Sequence, residues 1–271
     1  LQLDCKEPDP TEWRNMIDKT SHLSQEVNIA LVGKYVELHD SYLSVNEALK
    51  HGGLDHDAHV TIDWVDSESI TEENVAERLK NADGILVPGG FGTRGIDGKI
   101  AAAKYARENK VPYLGICLGL QIAIIEFARN VLGLKDENTT EIDPDTENPV
   151  INLMHDQHNV TDMGGTMRLG AYPCMLDEGS KAYKAYGKQL ISERHRHRYE
   201  VNNDYRDLLE KNGMHICGLS PDKHIVEMVE LKGHPSFVAS QAHPDFKSRP
   251  TKPHPLFSGL IGAALDYRES K

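Results

Sequence analysis

Residues 111–128 read Val-Pro-Tyr-Leu-Gly-Ile-Cys-Leu-Gly-Leu-Gln-Ile-Ala-Ile-Ile-Glu-Phe-Ala, and this stretch decides the fold. Its first part, 111–116, is a short apolar run of strand type, whereas 120–128 is apolar with the length of a buried helix. Between them, Gly-Ile-Cys-Leu-Gly places Cys117 in the tight strand-to-helix turn called a nucleophile elbow. The stretch therefore predicts a cysteine nucleophile at the end of a strand in an α/β sheet. The N-terminus of the helix that follows favours the thiolate, which is the reactive form of cysteine.

Strands and helices alternate around this stretch. Residues 27–33 form a continuous apolar run that ends in glycine, which is typical of a strand buried on both faces of a parallel sheet. The alternation predicts an α/β fold with a mostly parallel central sheet flanked by helices, and ligands of such sheets bind at the carboxyl ends of the strands. The predicted strands are 27–33, 59–65, 84–87 and 111–116, and the predicted helices are 41–51, 71–81 and 97–109.

Other parts of the chain depart from this alternation. Residues 1–26 are polar and proline-containing before a short helical pattern, so we interpret them as a linker and a first helix that precede one domain, 27–271. Residues 133–165 are acidic and polar, which predicts a long excursion over the surface. Additional antiparallel strands and a closing helix are predicted after it, at 166–169, 189–193, 214–219, 225–231, 237–241 and 256–268.

Composition narrows the class of protein. The 271 residues are 39% hydrophobic, which is ordinary for a globular chain, and 30 Lys+Arg against 42 Asp+Glu give a net charge of −12. This charge repels phosphate backbones and anionic lipids, so neither nucleic acid nor membrane is a predicted partner. The four cysteines are far apart, and no apolar run approaches the ~20 residues of a membrane span. We therefore expect a cytoplasmic protein.

Two further motifs supply partners for Cys117. His243 follows the predicted strand 237–241, where an imidazole can act as general base, and Asp245 stands two residues later, where a carboxylate can orient the ring. In an extended segment these two side chains point to the same side. The glycine-rich turn 87–92, which also follows a strand, can supply an N–H group to an oxyanion hole. Together these motifs predict a Cys-His-acid triad.

Some of these residues, and two other patterns in the chain, also fit interpretations other than a triad. Cys117 alone also fits a buried structural cysteine, which is a common fate for this residue type. Residues 90–95 match the dinucleotide pattern G-x-G-x-x-G, but glycine rather than an acid stands about 20 residues later. His155, Asp156 and His158 have the spacing of metal ligands, yet histidine is frequent in this chain and a metal-free loop is favoured. No metal site is predicted.

Six motifs, in order along the chain, resemble those of the triad-type, or class I, glutamine amidotransferases. Within that class they are most similar to the glutaminase domains of the CTP synthase family, and the resemblance runs from near residue 5 to about 268. The motifs are PGGFG at 88–92, GICLGLQ at 115–121, GGTMRLG at 164–170, ERHRHRYEVN at 193–202, QAHPD at 241–245 and RPTKPHPLF at 249–257.

The resemblance implies a role for each matching residue. Cys117 would attack the side-chain amide of glutamine, and His243 would be the general base. The third triad member departs from the family pattern, because Asp245 stands where that pattern has glutamate and its carboxylate lies one methylene closer to the backbone. The implied oxyanion-hole residues are Gly90 and Leu118, and the implied glutamine-binding residues are Gly90, Leu118, Gln121, Glu141 and Arg198.

The resemblance also implies partners outside this chain. The chain contains no G-x-x-x-x-G-K-[ST] phosphate loop, so ATP, UTP and Mg would bind only an N-terminal synthetase domain, and no cofactor is expected here. The family implies a homotetramer and allosteric activation by GTP, for which Arg94 is a candidate. Two alternatives stay open: a catalytically silent regulatory or scaffolding domain, and a γ-glutamyl hydrolase of the same fold.

Overall fold

The computed structural model describes residues 7–153 and 167–271. Among these residues, no helix is both long enough and apolar enough to cross a membrane. The helices are α1 (Thr11–Thr20), α2 (Leu43–Asp55), α3 (Val75–Leu79), α4 (Ile96–Asn109), α5 (Leu118–Asn130), α6 (Lys181–Tyr186), α7 (Arg206–Lys211) and α8 (Pro255–Ser270). The strands are β1 (Gln25–Gly33), β2 (Ala58–Asp66), β3 (Gly84–Val87), β4 (Tyr113–Ile116), β5 (Glu137–Thr139), β6 (Asn148–Leu153), β7 (Arg168–Leu176), β8 (Leu190–His197), β9 (Tyr199–Val201), β10 (Met214–Leu219), β11 (Val226–Leu231) and β12 (Phe237–Ser240).

The main sheet has a parallel half and an antiparallel half. Its strand order is β2-β1-β3-β4-β12-β11-β10-β7-β8. The five strands from β2 to β12 are parallel, and each strand beyond β12 pairs antiparallel with its neighbour. The predicted α/β fold, with flanking helices and additional antiparallel strands, is confirmed. The seam between the halves is β12, which follows β11 in the chain and pairs with β4.

Both faces of the parallel half are covered by helices, as the apolar pattern of β1 requires. Ala30 and Val32 join the core on the side of α3, α4 and α5, whereas Ile29 and Leu31 join the core on the side of α2 and α8. Successive side chains of a strand point to opposite faces, so a continuous apolar run is stable only between two layers of helices.

The predicted surface excursion at 133–165 is wrong where the structure describes it. β5 and β6 form a second, three-stranded sheet with β9, and Val150 and Ile151 are fully buried against α5. The sequence did not indicate this sheet, because acidic residues are usually exposed. One of them, Glu137, is instead buried and forms an ion pair with Arg129 of α5. Residues 154–166, including the histidines weighed as metal ligands, lie outside the described residues.

The predicted helix at 71–81 is longer than the helix that the structure shows. It is limited to α3, because a turn precedes α3 in which the Thr71 N–H donates to Oδ1 of Asn74 over 2.8 Å.

The first helix, α1, contains no buried residue. The boundary between residues 1–26 and the domain that follows remains a prediction.

Candidate active site

The elbow between β4 and α5 carries Cys117 in a strained backbone conformation, with φ 54° and ψ −102°. The flanking glycines are required by close backbone contacts. A Cβ on Gly119 would lie 2.2 Å from the carbonyl oxygen of Val87, and one on Gly115 would lie 2.6 Å from that of Gly119. The Tyr113 hydroxyl donates to the same Gly119 carbonyl over 2.9 Å. The elbow is therefore held from both sides, and the thiol projects beyond the sheet edge.

The Cys117 thiol is buried, and burial decides its protonation. The Leu118 N–H at the start of α5 bonds the sulfur and lowers its pKa, as the sequence predicts for a helix N-terminus. Loss of solvation is larger, however, and with the nearby carboxylates of Glu141 and Asp245 it raises the pKa of Cys117 to about 12. The expectation that the helix makes Cys117 a thiolate is therefore wrong for the substrate-free protein.

His243 lies at the carboxyl end of β12, next to the elbow. Its backbone N–H donates to the backbone carbonyl of Arg194 over 2.7 Å. The ring is mostly buried, and burial lowers its pKa; Asp245 opposes this shift and Arg196 adds to it. A lowered pKa keeps the imidazole neutral, which is the form that accepts a proton.

The acid of the triad is close to His243 but too far away for a hydrogen bond. Asp245 lies in a 3-10 turn, Pro244–Lys247, so the predicted extended geometry is wrong. The distance from Nδ1 of His243 to Oδ1 of Asp245 is 3.9 Å, beyond the usual range for a hydrogen bond. The 3-10 turn, and not an extended segment, sets this distance.

Asp245→Glu is expected to raise kcat for glutamate release by about tenfold. The added methylene brings a carboxylate oxygen into hydrogen-bond reach of Nδ1, and a misplacement near 1 Å can cost about 10²-fold. Steady-state assays of the variant and of wild type check this, with the exposed Asp222→Glu as control. A lower kcat in Asp245→Glu would contradict the expectation.

The glycine-rich turn after β3 closes the site from the opposite side. A Cβ on Gly89 would lie 2.9 Å from Cε1 of His243 and 3.5 Å from Cβ of Cys117, so only glycine fits there. The next turn residues are held by side chains, because Nζ of Lys34 donates to the Phe91 carbonyl and Oε1 of Glu141 accepts the Gly92 N–H over 3.1 Å. The turn, the elbow and His243 thus meet at one point.

Five of the predicted site residues line one cavity beside Cys117. Its volume is about 40 Å³. Cys117 is one of its lining residues, and the N–H of Leu118 bonds the sulfur. The lining residues are Gly90, Phe91, Cys117, Gln121, Glu141, Met167, His197, Arg198 and Tyr199.

Gln121 and a residue that the sequence did not single out, Gln241, share a buried amide contact. Nε2 of Gln121 donates to the Tyr199 carbonyl over 3.1 Å and to Oε1 of Gln241 over 3.3 Å. Nε2 of Gln241 in turn donates to Sγ of Cys117 over 3.7 Å. Gln121 thus has polar partners within the protein. The position of Gln241 at the end of a strand, two residues before His243, was the available signal.

A buried cluster of charged and imidazole groups lies behind the cavity. Arg168 donates to Oε1 of Glu227 over 2.6 Å and, through Nη1, to Nδ1 of His195 over 3.3 Å. Nδ1 of His197 donates to the Tyr199 carbonyl over 3.0 Å. Burial and the Arg168 charge lower the pKa of His195 to about 2 and that of His197 to about 3. Both rings are therefore neutral.

These two histidines predict acid lability. In the unfolded chain these histidines have a pKa near 6.5, whereas in the folded protein their pKa values are about 2 and about 3. Their contribution to stability is therefore present above about pH 6.5 and is lost as the pH falls below it. We expect the free energy of unfolding to drop by about 1 kcal/mol between pH 7 and pH 6. Urea titrations at both values check this, with exposed His224→Gln as a control that keeps the dependence. An unchanged or larger stability at pH 6 would contradict it.

The structure also bears on metal binding and on the surroundings of Arg94. Within 7–153 and 167–271, no group of three or more His, Cys, Asp or Glu side chains is arranged to hold a metal ion. Arg94, the candidate for GTP, forms an ion pair with Glu68 at 3.1 Å and donates to the Lys34 carbonyl over 3.0 Å. It lies beside the glycine-rich turn and is about half exposed.

Comparison with known protein families agrees with this geometry. The profile of the class-I glutamine amidotransferases matches residues 37–263, and the chain belongs to that family. Its similarity to CTP synthases extends over nearly its whole length: it is 56% identical over 271 residues, all of this chain, to the CTP synthase of Bacillus velezensis. It is 60% identical over 265 residues, 98% of this chain, to that of Halalkalibacterium halodurans.

A solved structure gives the matching fold. The glutaminase domain of the Trypanosoma brucei CTP synthase, solved with bound acivicin, is 39% identical with a TM-score of 0.84, over 89% of this chain and 94% of that one. The chain covers 51% of the Bacillus relative and 50% of the Halalkalibacterium relative, so it spans about half the length of the curated relatives it matches. These similarities are those of a glutaminase domain of the CTP synthase type.

Proposed function

We propose that this chain hydrolyses L-glutamine to glutamate and ammonia through a thioester on Cys117. The observation that carries the proposal is the meeting of the Cys117 thiol, the His243 imidazole and the Leu118 N–H beside one cavity. Sγ attacks the side-chain amide carbon, and the carbonyl oxygen becomes an oxyanion that the N–H groups of Gly90 and Leu118 stabilise. The C–N bond then breaks and ammonia leaves. Water hydrolyses the thioester to glutamate and regenerates the thiol.

His243 moves the protons in both halves of this reaction. Its Nε2 is buried and has no hydrogen-bond partner among the described residues, so it can accept the thiol proton as sulfur attacks. The same proton then passes to the leaving nitrogen. Burial raises the pKa of Cys117, so the thiol is protonated and His243 has to take its proton for the sulfur to attack.

Glutamine recognition is assigned to the charged residues of the cavity wall. Glu141 offers a carboxylate to the substrate ammonium, and Arg198 offers a guanidinium to the substrate carboxylate. Gln121 contributes a wall next to the reacting amide. Since Glu141 also accepts the Gly92 N–H, binding of an ammonium group to it would adjust the glycine-rich turn at the same time.

The finer assignments concern the whole enzyme. We propose that ammonia from this site passes to a synthetase domain of the same polypeptide, which uses ATP, UTP and Mg to convert UTP to CTP. A homotetramer in the cytoplasm and activation by GTP, with Arg94 as a contact, complete the proposal. Its support is the similarity to CTP synthases about twice as long as this chain.

Glutamate release by this chain is the direct test. We expect glutamate and ammonia in equal amounts from L-glutamine, and acivicin, the ligand of the Trypanosoma brucei domain, is expected to block turnover. γ-Glutamyl peptides serve as matched substrates, and faster cleavage of these would favour a γ-glutamyl hydrolase. Absence of both turnover and glutamine binding would contradict the proposal and favour the silent scaffold.

A further inference from the structure

The carboxylate of Asp245 is held by a residue far away in the sequence. The hydroxyl of Ser44 donates to Oδ2 of Asp245 over 2.7 Å, across 201 residues. The Asp245 side chain is only 3% exposed, and its other oxygen, Oδ1, has no hydrogen-bond partner among the described residues. That oxygen lies 3.9 Å from Nδ1 of His243. One oxygen is thus fixed by Ser44, and the other is directed toward the imidazole.

Helix α2 provides a firm support for this contact. Ser44 is the second residue of its 13, and the N-terminal end of a helix favours a negative charge nearby. A second contact joins the same helix to the same turn region, because Nδ1 of His51 lies 3.0 Å from the hydroxyl of Ser248. Both contacts couple α2 to the segment that follows His243.

We propose that Ser44 is a positioning residue for the reaction, whose hydroxyl aligns the carboxylate of Asp245 so that Oδ1 faces Nδ1 of His243. This inference rests on the proposed glutaminase function and deepens it. A glutamate in this position would reach the imidazole directly. The shorter aspartate does not reach it. The direction of Oδ1 therefore depends on the group that holds Oδ2, which is the Ser44 hydroxyl.

The charged and titratable groups around His243 define what a change at Ser44 can alter. They are Asp245 on the following turn, Arg196 on β8 and Cys117 at the elbow, with the neutral rings of His195 and His197 farther behind. Among these groups, only Asp245 accepts a hydrogen bond from the Ser44 hydroxyl. Loss of that hydroxyl removes the hydrogen bond that holds Oδ2, so Oδ1 is no longer held toward Nδ1 of His243.

Kinetics of Ser44→Ala are the first part of the test. We expect kcat for glutamate release to fall about tenfold, the loss typical of a hydrogen bond to a charged group, with KM unchanged because Ser44 does not line the cavity. Ser44→Thr keeps the hydroxyl and is expected to keep most of the activity. Ser41→Ala, at an exposed serine three residues earlier, is the matched control. A rise in KM with kcat unchanged would overturn the proposal.

A double-mutant cycle with Asp245→Glu is the second part. In that background the longer acid contacts His243 without help from Ser44, so the same Ser44→Ala change is expected to lower kcat less than about twofold. Equal losses in the two backgrounds would show a structural role for Ser44 and would overturn the proposal.

An NMR titration of the His243 ring separates this inference from the proposed function, because it needs no turnover. In Ser44→Ala the Asp245 carboxylate is no longer held beside the ring, and its charge supports the imidazolium less, so the His243 pKa is expected to move down from its wild-type value. An unchanged pKa in a variant that circular dichroism shows to be folded would overturn the role of Ser44. If wild type neither releases glutamate nor binds glutamine, the proposed function fails, and the titration alone still decides whether Ser44 acts on His243 through Asp245.

Discussion

Cys117→Ala is expected to lower the rate of glutamate release from L-glutamine by about 10⁴-fold or more, the size of effect seen when a covalent nucleophile is removed. The thioester cannot form without the sulfur. The cavity, the oxyanion donors and the recognition residues all stay in place, so glutamine binding is expected to persist. Steady-state glutamate assays combined with calorimetric titration of glutamine check both halves of this expectation.

The matched control for Cys117→Ala is the same change at another buried cysteine. Cys174 lies in β7, in the antiparallel half of the sheet, and its thiol is also protonated because burial raises its pKa. Cys174→Ala is expected to leave kcat near the wild-type value. Similar losses in the two variants would mean that Cys117 acts through folding and not through chemistry.

Gly119→Ala is expected to destabilise the protein by at least about 3 kcal/mol. The added Cβ would lie 2.2 Å from the carbonyl oxygen of Val87, which is backbone and is fixed in the sheet, so relief requires helix α5 to move away from β3. That movement also displaces the elbow, and activity is expected to fall together with stability. Urea unfolding followed by circular dichroism measures the stability change.

Gly259→Ala is the control for this substitution. Gly259 lies within α8, and a Cβ built there has no heavy atom within 4 Å. Alanine loses less conformational entropy than glycine on folding, so this variant is expected to be more stable by about 0.4 to 1 kcal/mol. A comparable destabilisation at both positions would show that the close approach at Gly119 is not its cause.

The sequence predicted those parts of the fold and site that are encoded locally. The run 27–33 identified a doubly covered strand, because its apolar residues are continuous. The elbow around Cys117 was recognisable from two glycines at fixed spacing, and His243 from its place at a strand end. The family resemblance supplied Glu141 and Arg198, which no local pattern marks, and the cavity contains both.

The remaining features depend on contacts between distant residues. The separation of His243 from Asp245 follows from a 3-10 turn that the spacing alone does not reveal. The contact of Ser44 with Asp245 joins elements 201 residues apart. Protonation of Cys117 is decided by how much water surrounds the sulfur, and the helix-dipole argument does not include that quantity.

The pairing of β4 with β12 has a mechanical consequence for the catalytic pair. These strands are hydrogen-bonded neighbours, with Ile116 opposite Ser240, and the Cys117 N–H donates to the Ser240 carbonyl over 2.7 Å. The strands that precede nucleophile and base are therefore spaced by the sheet itself, in which neighbouring strands lie about 4.8 Å apart. The acid lies farther from the sheet, in the 3-10 turn, and is held by the Ser44 hydroxyl. Its side chain can be exchanged for a shorter one while the distance between sulfur and imidazole stays the same.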